Sequence, residues 1–226
     1  MKTKITFSLP PGPLQIGVLE ADGVKIRQSS EKYLSKIKSD IAHILQPGWV
    51  YPDAIQKGIR SLLKTYGFHP SGRNRPASEF LAKDLQARGE FKPINNVVDI
   101  NNHVSMLSFL PISVIDRAKD TEDIILRTGT EAEEYVFNKE GQVLSLKNLL
   151  VLARNSGNHL PVGSPVKDSQ ETKVFEDTRN ILVVIYSSCR LISSEKLSEY
   201  LCIFSEYLKS EALAERVEHQ IFDALH

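Results

Sequence analysis

The chain has 226 residues, of which 41% are apolar and 25% charged, and its 28 basic residues are balanced by 28 acidic ones. That composition excludes a disordered or membrane-embedded chain and supplies ample material for a hydrophobic core. Zero net charge argues against a non-specific nucleic-acid coat, which needs a basic excess to neutralise phosphates, and leaves room for a local basic patch.

Residues 1–9 mix Lys2 and Lys4 with Ile5 and Phe7 and lack the apolar run and small-residue cleavage site of a signal peptide. No stretch approaches the roughly 18–20 apolar residues that span a bilayer, so a cytoplasmic chain with no membrane contact is expected. Residues 14–21 (LQIGVLEA) read as a strand, and the Asp22-Gly23 turn before Val24 and Ile26 predicts a hairpin. Ser29 and Ser30 offer caps for a helix striped by Leu34, Ile37, Ile41, Ile44 and Leu45, which Pro47-Gly48 stops. A second helix runs from Pro52-Asp53 to Gly67, and a third over residues 77–88, ended by Gly89. Between them lies a loop, residues 69–76 (HPSGRNRP). Residues 94–109 (INNVVDINNHVSMLSF) place four asparagines, one Asp and one His among apolar residues, with a helical period that gathers the polar members on one side.

From Pro111 the pattern turns to short strands, at residues 112–115, 124–127, 134–137, 142–146, 149–153 and 181–186. Residues 193–225 read as helical, with a break near Lys209-Ser210. Helices and strands are partly segregated, which predicts an α+β fold. Cys189 and Cys202 show no ligand spacing and are read as two reduced, semi-buried thiols, so no metal site is expected. No GxGxxG, P-loop or HExxH is present, and no cofactor is expected.

Several residues are candidates for chemistry. Asn95, Asn96 and Asp99 suit neighbouring backbone groups, whereas Asn102 and His103 are candidates to line a pocket. Arg73 and Arg75 sit on a Gly/Pro loop, where a guanidinium fork suits phosphate or carboxylate, and Lys173 is a second phosphate candidate. Glu176 and Asp177 precede a core strand and are read as structural. His69, His103 and His159 are scattered, and no nucleophilic triad can be assembled from them.

Two blocks carry a resemblance. Residues 75–116 (RPASEFLAKDL to PINNVVDINNHVSMLSFLPISVID) and residues 173–184 (KVFEDTRNILVV) resemble the editing and tRNA-binding domain of bacterial phenylalanyl-tRNA synthetase beta subunits. In that family an Arg-Pro turn leads through a helix into Pro-Ile-Asn-Asn-Val-Val-Asp, then a Pro-Leu-His-Ala-Phe-Asp run. Later comes a Val-x-Glu-Asp-Thr-Thr-x-x-Leu strand entry. The resemblance covers about residues 58–187, and free-standing relatives carry an N-terminal extension similar to residues 1–65.

The resemblance implies an α+β fold with a mixed sheet flanked by helices and a helical C-terminal tail. It divides the chain into residues 1–65, a hairpin and helices packed on the core; residues 66–190, the editing-domain-like core; and residues 191–226, C-terminal helices of the same domain. It implies a tRNA-linked binding or trans-editing module, and not a complete synthetase. The partner would be a tRNA, its aminoacylated 3′ end or an aromatic amino acid, held by a monomer or homodimer. A hydrolytic member would be an aminoacyl-tRNA deacylase. The implied substrate-binding residues are Arg75, Asn102, His103, Ser113, His159, Gly163 and Asp168, with Arg73 and Lys173 on phosphate. The sequence also departs from the family. The family's His falls at Ser113, and residues 163–172 (GSPVKDSQET) stand where the family has Gly-Gly-Glu, offering Asp168 or Glu171. A second reading is therefore a non-catalytic RNA- or small-ligand-binding module that kept the fold and lost the chemistry.

Overall fold

The computed structural model describes residues 1–72, 74–117 and 123–224. Strands β1 (Lys4–Ser8) and β2 (Leu14–Asp22) precede helices α1 (Glu31–Ile41), α2 (Asp53–Thr65), α3 (Ala77–Arg88) and α4 (Asn96–Ser108). The strand-rich part follows, with β3 (Ile112–Asp116), β4 (Asp123–Thr128), β5 (Glu134–Val136), β6 (Val143–Ser145), β7 (Leu150–Arg154), β8 (Pro161–Gly163) and β9 (Asn180–Ser188). Helix α5 (Ser194–Ser210) and strand β10 (Arg216–Asp223) close it. The local signals explain the boundaries. Ser30, Asn95 and Ser193 each accept a backbone N–H from the first turn of their helix. Gly89, left-handed at φ 75°, ends α3.

The central sheet has the order β10-β2-β9-β3, with every neighbour antiparallel. Its inner strands β2 and β9 are buried on both faces, while the edge strand β10 is partly exposed. Leu14, Ile16 and Val18 of β2, with Leu182, Val184 and Tyr186 of β9, pack on a second sheet through Leu126, Leu150 and Leu152. Leu19 and Ala21, with Ile181, Val183 and Ile185, pack on the helical layer through Ile37, Val104 and Leu201. A strand covered on both faces needs no polar alternation, which is why β9 is an unbroken apolar run. Gly17 lets α5 sit close, since a Cβ there would lie 3.0 Å from Leu201. The second sheet has the order β1-β4-β7-β8, with β1 parallel to β4, and β5 and β6 form a separate ribbon. No helix among the described residues is long and apolar enough to cross a membrane.

The α+β class holds, and several local expectations are corrected. The hairpin after Asp22-Gly23 does not form. Both edges of β2 are already taken, by β9 and β10, so the chain leaves the sheet, with Val24 N–H bonding Arg179 and Lys25 N–H bonding Ala212. The helical C-terminal tail is a helix only as far as Ser210. Leu213 adopts a left-handed φ of 51°, and the chain then enters β10 antiparallel to β2. The spacing of four between Val217 and Ile221 belongs equally to one helical turn and to one face of a strand. Strands β1 and β8 add to those the sequence pattern marks, and Cys189 and Cys202 are both exposed rather than semi-buried.

Candidate functional site

A cavity of about 1350 Å³ lies between α4, the start of α3 and residues 166–176. α4 presents two polar faces with separate tasks. Asn95 caps the helix, Asn96 is fully buried against residues 25–27, and Asp99 accepts from Ser29 Oγ at 2.7 Å and from Ile94 N–H at 2.8 Å. These three hold the helix in place. Val98, Asn101, Asn102 and Ser105 face the cavity. Asn101 Oδ1, and Gln170 Oε1 on the opposite wall, are buried with no hydrogen-bond partner among the described residues. Each is an unsatisfied acceptor just behind the cavity wall.

The opposite wall is built on β3, β8 and β9. Ser113 on β3 is fully buried; its Oγ donates to Asp168 Oδ1 at 2.6 Å and lies 3.0 Å from the Tyr186 hydroxyl. Ser164 N–H also donates to Asp168 Oδ1, at 3.3 Å. The Tyr135 hydroxyl donates to Ser164 Oγ at 3.1 Å. Burial pushes the Asp168 carboxyl up to about 7, against the lowering pull of Ser113 and the backbone N–H groups. Lys173 also lines the cavity and donates to the Phe137 carbonyl; its burial holds the ammonium below the ordinary lysine range. The site thus offers a carboxyl that can exist in either form near neutral pH, beside a cation.

Arg75, Asn102, Asp168 and Lys173 therefore meet in one cavity. Of the two acids offered by residues 163–172, Asp168 enters the cavity and Glu171 is exposed elsewhere. Arg75 Nε donates to the Gly72 carbonyl at 2.7 Å, which fixes the loop side of its guanidinium. Ser113 sits one layer beneath the cavity surface and reaches it only through Asp168. Gly163 plays a similar supporting part, because a Cβ there would stand 2.7 Å from Asp168 Oδ1. Arg73 lies outside the described residues.

Two expected site residues are placed elsewhere. His103 is fully buried between Tyr33 OH and Asp40 Oδ2, at 3.1 Å from each, and stacks on Tyr207. It ties α1 and α5 to α4, and burial lowers its basicity. One residue along a helix is about 100° of rotation, enough to turn His103 away from the face that carries Asn102. His159 is exposed in a tight turn at φ 50°, and its carbonyl accepts from Arg127 at 2.7 Å. Its contribution is to the loop backbone.

The rim was not legible in the sequence. Phe80 and Ile94 are each 56% exposed and Phe175 is 42% exposed, and all three border the cavity. Exposed large apolar groups clustered at a cavity mouth mark a binding surface more than a packing need. The turn joining β5 and β6 adds Lys139 and Glu140 to the same rim.

Residues 69–196 match the family model described as the B3/4 domain, a span that holds every cavity residue except Ile26, Arg27 and Gln28. The chain is 30% identical over 112 residues to the phenylalanine–tRNA ligase beta subunit of Nitrobacter winogradskyi; the matched stretch is 49% of this chain and 13% of that subunit. A solved N-terminal fragment of the phenylalanyl-tRNA synthetase beta subunit from Pyrococcus horikoshii aligns with a TM-score of 0.44 at 12% identity, over 96% of this chain and 52% of the fragment. The chain thus spans a small part of the ligase subunit to which it is similar.

Proposed function

Because this chain belongs to the B3/4 domain family, we propose that its cavity receives the aminoacylated 3′-terminal adenosine of a tRNA and that the chain is a tRNA-linked binding and trans-editing module. One observation carries the reading: Arg75, Asn102, Asp168 and Lys173 converge on a cavity of about 1350 Å³ with an apolar wall of Val98, Ile112, Val114 and Val166. An aminoacyl-adenosine has a cationic amine, sugar hydroxyls, an adjoining phosphate and flat apolar faces. A carboxylate, amides, two cations and an apolar wall offer a partner to each. The similarity to a tRNA ligase beta subunit supports the same class of ligand. Charging of tRNA is not part of the proposal, and the chain would work in the cytoplasm, where charged tRNA is.

In the editing reaction a water oxygen attacks the ester carbonyl carbon, the bond from that carbon to the ribose oxygen breaks, and a proton ends on the departing oxygen. Asp168, with its carboxyl pushed up to about 7, is suited to take the water's proton near neutral pH. A non-catalytic holding role is favoured by Ser113, which is sealed beneath Asp168 where the family has His. Deacylation of a panel of mischarged tRNAs, tyrosine on phenylalanine tRNA among them, separates the two. Editing predicts release above the spontaneous rate, reduced roughly tenfold or more by Arg75→Ala, since a charge-assisted contact is lost. No release from any charged tRNA by a folded protein would remove the hydrolytic role and leave binding.

A further inference from the structure

A shallow groove of about 600 Å³ adjoins the cavity along the outer side of α3, lined by Gly72, Arg75, Phe80, Lys83, Asp84 and Gln86. Arg75 and Phe80 line both spaces, so the two are continuous. The core-facing residues of α3 include Ala82 and Leu85, and Phe80 is turned away from them, 56% exposed. Lys83 is exposed beside it, and Asp84 is held by Arg88 Nε at 2.8 Å, which leaves Arg75 and Lys83 to set the sign of the groove.

Resting on the function proposed above, we propose that this groove holds the nucleotide preceding the terminal adenosine, with its base stacked on Phe80 and the linking phosphate between Arg75 and Lys83. The chemistry is that of single-strand recognition, in which an exposed aromatic ring takes a base face and neighbouring cations follow the backbone. The residue shared by both spaces, Arg75, stands where the phosphate joining the two nucleotides has to pass. It also reconciles zero net charge with RNA binding, because two cations at a mouth suffice for a short single-stranded end.

The test uses two sets of ligands. One is adenosine carrying an aminoacyl group, tyrosyl among a panel, in a stable 3′-amide linkage. The other carries the same groups at the end of a CCA trinucleotide. The trinucleotide is expected to bind on the order of tenfold more tightly, with an advantage that shrinks as salt rises. Lys83→Glu should remove most of that advantage and leave adenosine binding unchanged, and Phe80→Ala should weaken the trinucleotide by a similar factor. Equal affinity for the two ligands, or a trinucleotide insensitive to Lys83→Glu, would overturn the groove assignment. Trinucleotide binding that depends on Lys83 without any adenosine binding would keep the groove and overturn the cavity reading. Self-association of the wild-type chain that Phe80→Ala abolishes, with no RNA bound, would make the groove a protein interface and overturn the proposal.

Discussion

Asn96→Ala is expected to lower the unfolding free energy by about 3 kcal/mol, while Asn102→Ala, six residues along the same helix, changes it by less than about 0.5 kcal/mol. The Asn96 side chain is fully buried and satisfies four backbone groups. Its Oδ1 accepts from Arg27 N–H at 3.1 Å and Val97 N–H at 3.0 Å, and its Nδ2 donates to the carbonyls of Lys25 and Glu211, each at 2.9 Å. Those bonds fasten the start of α4 to the segment leaving β2 and to the end of α5. Alanine removes the partner of the Lys25 carbonyl and of the Arg27 and Val97 N–H groups, at about 1 kcal/mol each, whereas the Glu211 carbonyl keeps the Arg27 guanidinium. Asn102 only faces the cavity, so its loss should appear in ligand affinity instead. Chemical denaturation of both variants, with unchanged m-values, decides the matter. A cost below about 1 kcal/mol for Asn96→Ala would contradict the structural role given to it.

The second large effect belongs to Asp168. Its carboxyl is pushed up to about 7 in the folded chain from an ordinary 3.8, so the folded state holds this proton more tightly than the unfolded one. The stabilisation from the bound proton is complete below about pH 4 and declines as pH rises toward 7. Above 7 the folded chain carries a partly buried, ionised carboxylate. Asparagine keeps the acceptor oxygen for Ser113 and Ser164 and carries no charge. Asp168→Asn should therefore leave stability unchanged near pH 4 and raise it at pH 8 by on the order of 2 kcal/mol, roughly 4–8 °C in Tm for a chain of this size. The same variant should abolish any deacylation in which Asp168 accepts a proton. Thermal melts at the two pH values check the first statement, and equal Tm differences at both would refute it. A variant that is more stable yet inactive would mark the carboxylate as a functional cost borne by the fold.

Sequence alone determined the features that short-range physics controls. The helix caps at Ser30, Asn95 and Ser193, the left-handed Gly89 and the α4 period all rest on groups a few residues apart. Asn95, Asn96 and Asp99 were also legible as structural, since such side chains near a helix start commonly serve backbone groups. Arg75, Asn102, Asp168 and Lys173 were legible as binding candidates through the family's motifs. The tertiary structure alone decided which of these share a cavity, and it separated Asn102 from His103, whose environment is set by α1 and α5. It also decided the fate of residues 216–223. Their period allowed helix or strand, and only the open edge of β2, at the other end of the chain, selected a strand. The rim of Phe80, Ile94 and Phe175 belongs to the same class. An apolar residue in a sequence is read as core until the fold leaves it without a partner, and burial depends on residues far away in the chain.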